Sequence, residues 1–129
     1  MNIAIWFSWY KELLEDFNFS REDDEKSAQL LDMLLETYGG LSLEDIPMQK
    51  EAIVFGAGPS LKNNIKEVKN LNLSEYTLIS ADGATTALLE EDIVPDIIVT
   101  DLDGEMKDIS CANHEGAFLV VHAHGNNMD

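Results

Sequence analysis

The chain has 129 residues, 25 of them acidic against 8 basic, for a formal net charge of −17. That balance speaks against a nucleic-acid groove, because neutralising phosphates with Lys and Arg dominates such binding; phosphate ligands remain possible where a metal supplies the positive charge. The length suits one domain with a real core, no apolar run reaches the roughly 20 residues of a membrane span, and a lone cysteine, Cys111, together with a start that lacks a basic n-region, fits a cytoplasmic protein without a secretory signal.

Trp6, Tyr10, Leu13, Leu14 and Phe17 recur at i, i+4, i+7, i+8 and i+11, the pattern of one face of an amphipathic helix. This aromatic stripe reads as core, or as a contact surface for the next domain. Ser20 followed by Asp23 resembles a capping box opening a second helix, with Ala28, Leu31, Leu34, Leu35 and Tyr38 on its buried side and Gly39-Gly40 at its end. Ser42, Asp45 and Pro47 mark a short turn or helix. The acidic runs Glu22-Asp23-Asp24-Glu25 and Glu90-Glu91-Asp92 read as solvated helix termini.

From residue 51 onward, short apolar runs alternate with helices. Residues 52–55 form a first strand, followed by Gly56-Ala57-Gly58-Pro59-Ser60-Leu61 and a helix to about Asn70. Residues 76–81 form a second, followed by Asp82-Gly83-Ala84 and a helix through Leu89. Residues 97–100 form a third and 117–121 a fourth. Strands that are apolar throughout and separated by helices indicate an α/β fold, a parallel sheet with helices on both faces.

Each strand ends in a chemically expressive segment: the glycine turn, Asp82-Gly83, Asp101-Leu102-Asp103-Gly104, and His122-Ala123-His124-Gly125-Asn126-Asn127. Ligands of open parallel sheets bind outside the carboxyl ends of the strands, so four segments distant in sequence converge on one edge. Asp101 and Asp103, two apart on a chain leaving a strand, can turn toward one point and offer oxygen ligands to a hard cation such as Mg²⁺; the competing reading is a solvated acidic turn. Gly56, Gly58 and Ser60 can bring bare amides to an anion at a helix N-terminus, or form only a tight turn with Ser60 as N-cap. No Gly-Lys-Ser/Thr follows, so this is not a Walker loop. Asp82 reads as a metal ligand, an acceptor for a ribose or amine, or the N-cap of the next helix. His122 and His124 point the same way if the strand continues, and could contact phosphate or assist proton transfer; no cysteine or HExxH spacing supports zinc.

With these residues assembled, the chain resembles the archaeal-type 6-hydroxymethyl-7,8-dihydropterin diphosphokinases, distant relatives of the thiamine diphosphokinases. The resemblance rests on the segments 56–61, 81–84, 95–104 and 122–126, and on Trp6, Tyr10, Asp16-Phe17, Ser20-Arg21, Leu30-Leu31 and Leu35 in the leading helices. Residues 95–104 are the most specific part, whereas the glycine turn is shared with broader relatives, including flagellin-glycosylation proteins. The resemblance implies a helical segment over residues 1–48 and a Rossmann-like nucleotide-binding core over 49–129. It further implies that Asp101 and Asp103 hold Mg²⁺ on the phosphates of ATP, and that Asp82 shares the same site. Gly56, Gly58, Pro59, Ser60, Gly83 and Ala84 would line the nucleotide cleft, with His122, His124 and Asn126 near phosphate or substrate. The hydroxymethyl oxygen of the pterin would attack the β-phosphorus of ATP and release AMP. Transfer to thiamine, and a nucleotide-sugar glycosyltransferase or its accessory domain, are the alternatives. Members of that family continue beyond the 122–126 segment and carry an aspartate where Asn127 stands here. The expectation is therefore a truncated piece with an incomplete site, whose exposed sheet edge invites pairing with another copy.

Overall fold

The computed structural model describes residues 2–125, 127 and 128. Two compact units emerge, Leu41–His122 and a second made of Met1–Gly40 with Ala123–Asp129.

In the Met1–Gly40 unit, α1 (Ile3–Phe17) opens on Asn2, whose side chain accepts from the Ala4 amide. It closes at Asn18, which adopts the left-handed conformation (φ 53°) that asparagine tolerates. Helix α2 (Arg21–Tyr38) is capped by the Ser20 hydroxyl accepting from the Asp23 amide at 3.3 Å, and the chain leaves it at Gly39 with φ +86°. The two helices meet through polar and cation–π contacts: Tyr10 donates to Asp24 Oδ2 at 3.0 Å, and the Arg21 guanidinium lies 5.7 Å from the Phe7 ring centroid. Asp24 Oδ1 also accepts from the Gly125 amide at 2.9 Å.

The expected buried faces of both helices are not buried. Trp6, Leu13 and Phe17 are exposed, as are Ala28, Leu34, Leu35 and Tyr38; Tyr10, Leu14 and Leu31 are half-buried. Ser27 is the one buried residue of α2, and α1 has none. The physical reason is that the helices touch through Tyr10–Asp24 and Arg21–Phe7, a narrow contact that leaves the apolar stripes uncovered. Of the two readings of the aromatic stripe, core fails here.

The Leu41–His122 unit runs β1 (Glu51–Phe55), α3 (Leu61–Val68), β2 (Tyr76–Ala81), α4 (Ala84–Leu89), β3 (Ile97–Thr100), α5 (Met106–His114) and β4 (Phe118–Val121). The strands form one parallel sheet in the order β1-β2-β3-β4. The α/β class, the parallel sheet and the leading helices are as expected from the sequence. Residues 105–116, left without an element by the sequence reading, contain α5.

Phe55, Ser80, Ile98 and Leu119 share one register row, and the core lies on that face. Leu61 and Ile65 of α3 and Ala84, Ala87 and Leu88 of α4 pack with Phe55 and Leu78, while Ile109 and Ala112 of α5 pack with Ile98 and Ala117. Sequential parallel strands joined by right-handed crossovers place every connecting helix on the same side, so α3, α4 and α5 cover one face of this sheet where the apolar runs suggested helices on both. Ile65, Leu88 and Ile98 are fully buried, each contributing about 1.5–3 kcal/mol over an exposed state. On the opposite face Val54 is 70% exposed.

Asp96 ties the amino-terminal end of the sheet together. Its Oδ2 accepts from the Leu78 amide at 2.7 Å, its own amide donates to the Leu78 carbonyl, and its carbonyl accepts from the Phe118 amide. The preceding Pro95 is fully buried. The pair therefore sets the β2–β3–β4 register, which fixes where β3 ends and Asp101 begins.

Candidate functional site

The carboxyl ends of β1, β2 and β3 deliver three loops that touch one another. A Cβ built on Gly83 would lie 3.6 Å from Ala57 Cβ, which places the turn after β2 against the glycine turn after β1. A Cβ on Gly104 would meet the Asp82 carbonyl carbon at 3.3 Å, Asp82 Cα at 3.4 Å and Ile109 Cδ1 at 3.1 Å. Glycine at 104 thus lets the Asp101–Gly104 loop press against the backbone of Asp82. The backbone repeats the link, since the Asp82 amide donates to the Val99 carbonyl at 3.1 Å.

Thr100 is the hub of this arrangement. It is 1% exposed, and its hydroxyl donates to Asp82 Oδ1 at 2.5 Å while accepting from the Leu102 amide at 2.8 Å. Its carbonyl accepts from the His122 amide at 2.9 Å, which brings the start of the segment after β4 to the same edge. The sequence reading placed Thr100 only as the last strand residue; a threonine directly before D-x-D was the available signal.

Two backbone positions here are unusual. Asp82 has φ +36° and Leu102 φ +70°, a region that costs an L-residue roughly 1–2 kcal/mol. Such conformations persist only where the surroundings fix them, and they cluster at ligand clamps and active sites. The fixing contacts are the Thr100 hydroxyl on the Leu102 amide and the packing of Gly104 on Asp82. Between the reversed residue and its neighbours, the Asp103 amide lies 3.4 Å from Asp101 Oδ1. Asp82 does not cap the next helix through its side chain. Gly83 occupies that position, and the Asp82 carboxylate is engaged by Thr100 instead.

At the glycine turn, the Gly58 amide donates to the Gly56 carbonyl at 2.8 Å and the Leu61 amide to the Gly58 carbonyl at 3.0 Å, a tight entry into α3. Ser60 takes the N-cap position without a side-chain cap hydrogen bond. A Cβ on Gly56 or Gly58 would meet nothing within 4 Å, so packing within the chain does not demand glycine at either position.

Among the described residues, no three His, Cys, Asp or Glu side chains come together as a self-contained metal centre. Asp101 and Asp103 offer two carboxylates on one loop. Such an oxygen-only pair fits Mg²⁺, which is commonly held by one or two carboxylates with substrate phosphates and water completing its shell; it does not fit a four-ligand zinc site. His122 sits at the shared strand edge. His124 belongs to the Met1–Gly40 unit, where its amide donates to Asn127 Oδ1 at 2.9 Å. Asn126 lies outside the described residues. A cavity of about 430 Å³ opens elsewhere, at the amino-terminal end of the strands beside Pro47, Tyr76 and Asp96, and none of Asp82, Asp101 and Asp103 lines it.

A model of the family described as 6-hydroxymethylpterin diphosphokinase MptE-like matches residues 26–129. The chain is 55% identical over 129 residues to a 6-hydroxymethyl-7,8-dihydropterin pyrophosphokinase of Methanothermobacter thermautotrophicus, covering 99% of this chain and 55% of that protein. A protein of the same name from Methanocaldococcus jannaschii is 42% identical over 134 residues, covering 100% of this chain and 56% of the relative. One from Pyrococcus furiosus is 44% identical over 128 residues, covering 96% and 53%. The chain spans about half the length of the curated relatives it matches.

Proposed function

The chain belongs to the 6-hydroxymethylpterin diphosphokinase MptE-like family, and from that premise we propose that its strand-end loops bind the diphosphate donor in a Mg²⁺-dependent transfer from ATP to 6-hydroxymethyl-7,8-dihydropterin. The products are AMP and the pterin diphosphate. The observation that carries the reading is the junction of three loops around Asp82, Thr100 and the Asp101–Gly104 turn, with reversed backbone at Asp82 and Leu102.

In this reading Asp101 and Asp103 hold the cation, and Asp82, oriented by Thr100, shares the nucleotide–metal site as the third catalytic carboxylate. When bound, Mg²⁺ supplies the positive charge that the triphosphate oxygens need and that a chain of net charge −17 does not itself provide. The open space beside Gly56 and Gly58 admits close approach of phosphate to the backbone, with Pro59 and Ser60 leading into the N-terminus of α3, where the helix dipole favours anions. Gly83 stands exposed on the facing turn, with the buried Ala84 behind it in the core, and His122 reaches phosphate or substrate from the end of β4. Phosphoryl-type transfer depends mainly on positioning and charge neutralisation, and the loop junction supplies the first. No helix among the described residues is long and apolar enough to cross a membrane, and we place the reaction in the cytoplasm.

The test follows AMP release from ATP with Mg²⁺ and hydroxymethyl-dihydropterin. It uses this chain alone and a fusion that supplies the remaining length of the Methanothermobacter relative. Turnover in the fusion that falls at least about a hundredfold with Asp101→Asn plus Asp103→Asn is expected, since loss of a transition-state charge contact commonly has that size. Absence of AMP release from both proteins, or release that the double substitution leaves intact, overturns the proposal. Turnover with thiamine but not the pterin moves it to the other acceptor.

A further inference from the structure

The acidic run Glu22-Asp23-Asp24-Glu25 opens α2, and three of its four carboxylates pair with cations on their own helix. Arg21 meets Glu25 at 2.8 Å, and Lys26 meets Glu22 at 3.0 Å and Asp23 at 3.4 Å. Asp24 behaves differently. It is half-buried, and its two oxygens serve partners far apart in sequence: Oδ2 accepts from the Tyr10 hydroxyl at 3.0 Å, and Oδ1 from the Gly125 amide at 2.9 Å, 101 residues away. All three residues belong to the unit that joins Met1–Gly40 with Ala123–Asp129.

Gly125 is suited to that contact. A Cβ there would lie 2.9 Å from Asp23 Cβ, and 3.3 Å from both the Asp23 carbonyl carbon and the Asp24 nitrogen. Two of those three atoms are helix backbone, which yields little, so glycine is what lets the turn settle on α2. The turn is also closed from within, the His124 amide donating to Asn127 Oδ1 at 2.9 Å and the Asn127 amide to the His124 carbonyl at 3.1 Å. Only Ala123 and His124 separate Gly125 from His122, whose own amide is fixed on the Thr100 carbonyl.

We infer that Asp24 is a positioning residue, whose carboxylate grips the turn at Gly125 and thereby fixes the course of the chain that leaves His122. The inference rests on the reading that His122 meets phosphate or substrate. A hydrogen bond to an ionised acceptor is stronger than a neutral one, and the Tyr10 hydroxyl on the second oxygen holds the carboxylate in one orientation. With bonds at residues 122 and 125, the two residues between them have little room to swing; without the grip, the segment is held at one end only.

The test is nuclear magnetic resonance on the whole chain, whose 3 histidines give a short set of ring signals. Asp24→Ala removes the grip and places the best helix former in α2. Exchange of the Gly125 amide with solvent should quicken at least about tenfold, the effect of losing a hydrogen bond to a charged group, while the amides of β3 keep their protection. Asp24→Asn retains an acceptor and should recover most of the loss. In the parent, Mg²⁺ with a non-hydrolysable ATP analogue should shift the His122 ring signal and the Asp101 amide together. In Asp24→Ala the His122 shift should be lost and that of the Asp101 amide kept. Gly125 protection that survives Asp24→Ala overturns the grip, and protection lost with an unchanged His122 response overturns the positioning role. A parent in which Asp101 responds and His122 does not removes the histidine from the proposed site, and this inference with it. Silence at both overturns the strand-end nucleotide site from which the inference starts.

Discussion

Thr100 carries more of the site than its position in a strand suggests. Its buried hydroxyl serves Asp82 and the Leu102 amide at once. Thr100→Val keeps the shape and removes both bonds, leaving the half-buried Asp82 carboxylate and Leu102 amide without this partner, a loss of about 1–3 kcal/mol. The denaturation midpoint should fall accordingly, and Mg²⁺–ATP binding should weaken with it; Thr100→Ser should recover most of both. At Gly104 an added methyl meets Asp82 backbone at 3.3–3.4 Å, and backbone yields less readily than a side chain. Gly104→Ala should therefore destabilise by about 1–3 kcal/mol, measurable in the same unfolding assay, and displace Asp82. The aspartates themselves were legible because D-x-D follows an apolar run that could only be a strand. The Thr100–Asp82 contact was not, because it joins residues 18 apart across the β2–β3 pairing, and no local pattern encodes a partner on the neighbouring strand.

At the level of elements, β2 and α4 are joined by a fully buried hydroxyl pair, Ser80 and Thr85 at 2.8 Å. Thr85→Val strands the Ser80 hydroxyl and should cost about 1–3 kcal/mol, whereas Ser80→Ala combined with Thr85→Val removes both polar groups and should come back close to the parent. Equilibrium denaturation of these two variants and of Ser80→Ala alone gives the coupling directly. A second tie runs from α3 to the segment after α4. Lys69 donates to Glu91 at 3.0 Å, and this hydrogen bond, with the lysine charge, holds the Glu91 carboxyl below its usual range. A lowered carboxylate stabilises the fold above its ordinary titration range and loses that contribution as the pH falls through the lowered value. Strands β2 and β3 could be read to the residue, since continuous apolar runs bounded by Asp, Pro and Gly leave few options. Helix α5 escaped because only Ile109 and Ala112 of its nine residues are buried, too few for a period. Helices α1 and α2 were legible as helices, yet periodicity marks an apolar face without saying what covers it.

For the whole molecule, a net charge of −17 is the dominant electrostatic fact. Among the described residues the ion pairs, such as Arg21–Glu25, Lys26–Glu22 and Lys62–Glu90, lie at the surface, where each contributes about 0–1 kcal/mol. They do not offset the surplus of carboxylates. Self-repulsion of that size is screened by salt, so the melting temperature should rise as sodium chloride is added at neutral pH; a fall would mean that the surface pairs outweigh the repulsion. In the proposed reading, the same surplus leaves the charge of a triphosphate to be neutralised by the cation. Calorimetric titration of a non-hydrolysable ATP analogue, with and without Mg²⁺, into the parent chain and the Asp101→Asn, Asp103→Asn double variant tests the strand-end site most directly. Binding that requires Mg²⁺ and weakens at least about tenfold in the double variant, with its melting temperature not lowered, is the expected result. No binding, binding indifferent to Mg²⁺, or equal affinity in the double variant would contradict the assignment of those aspartates.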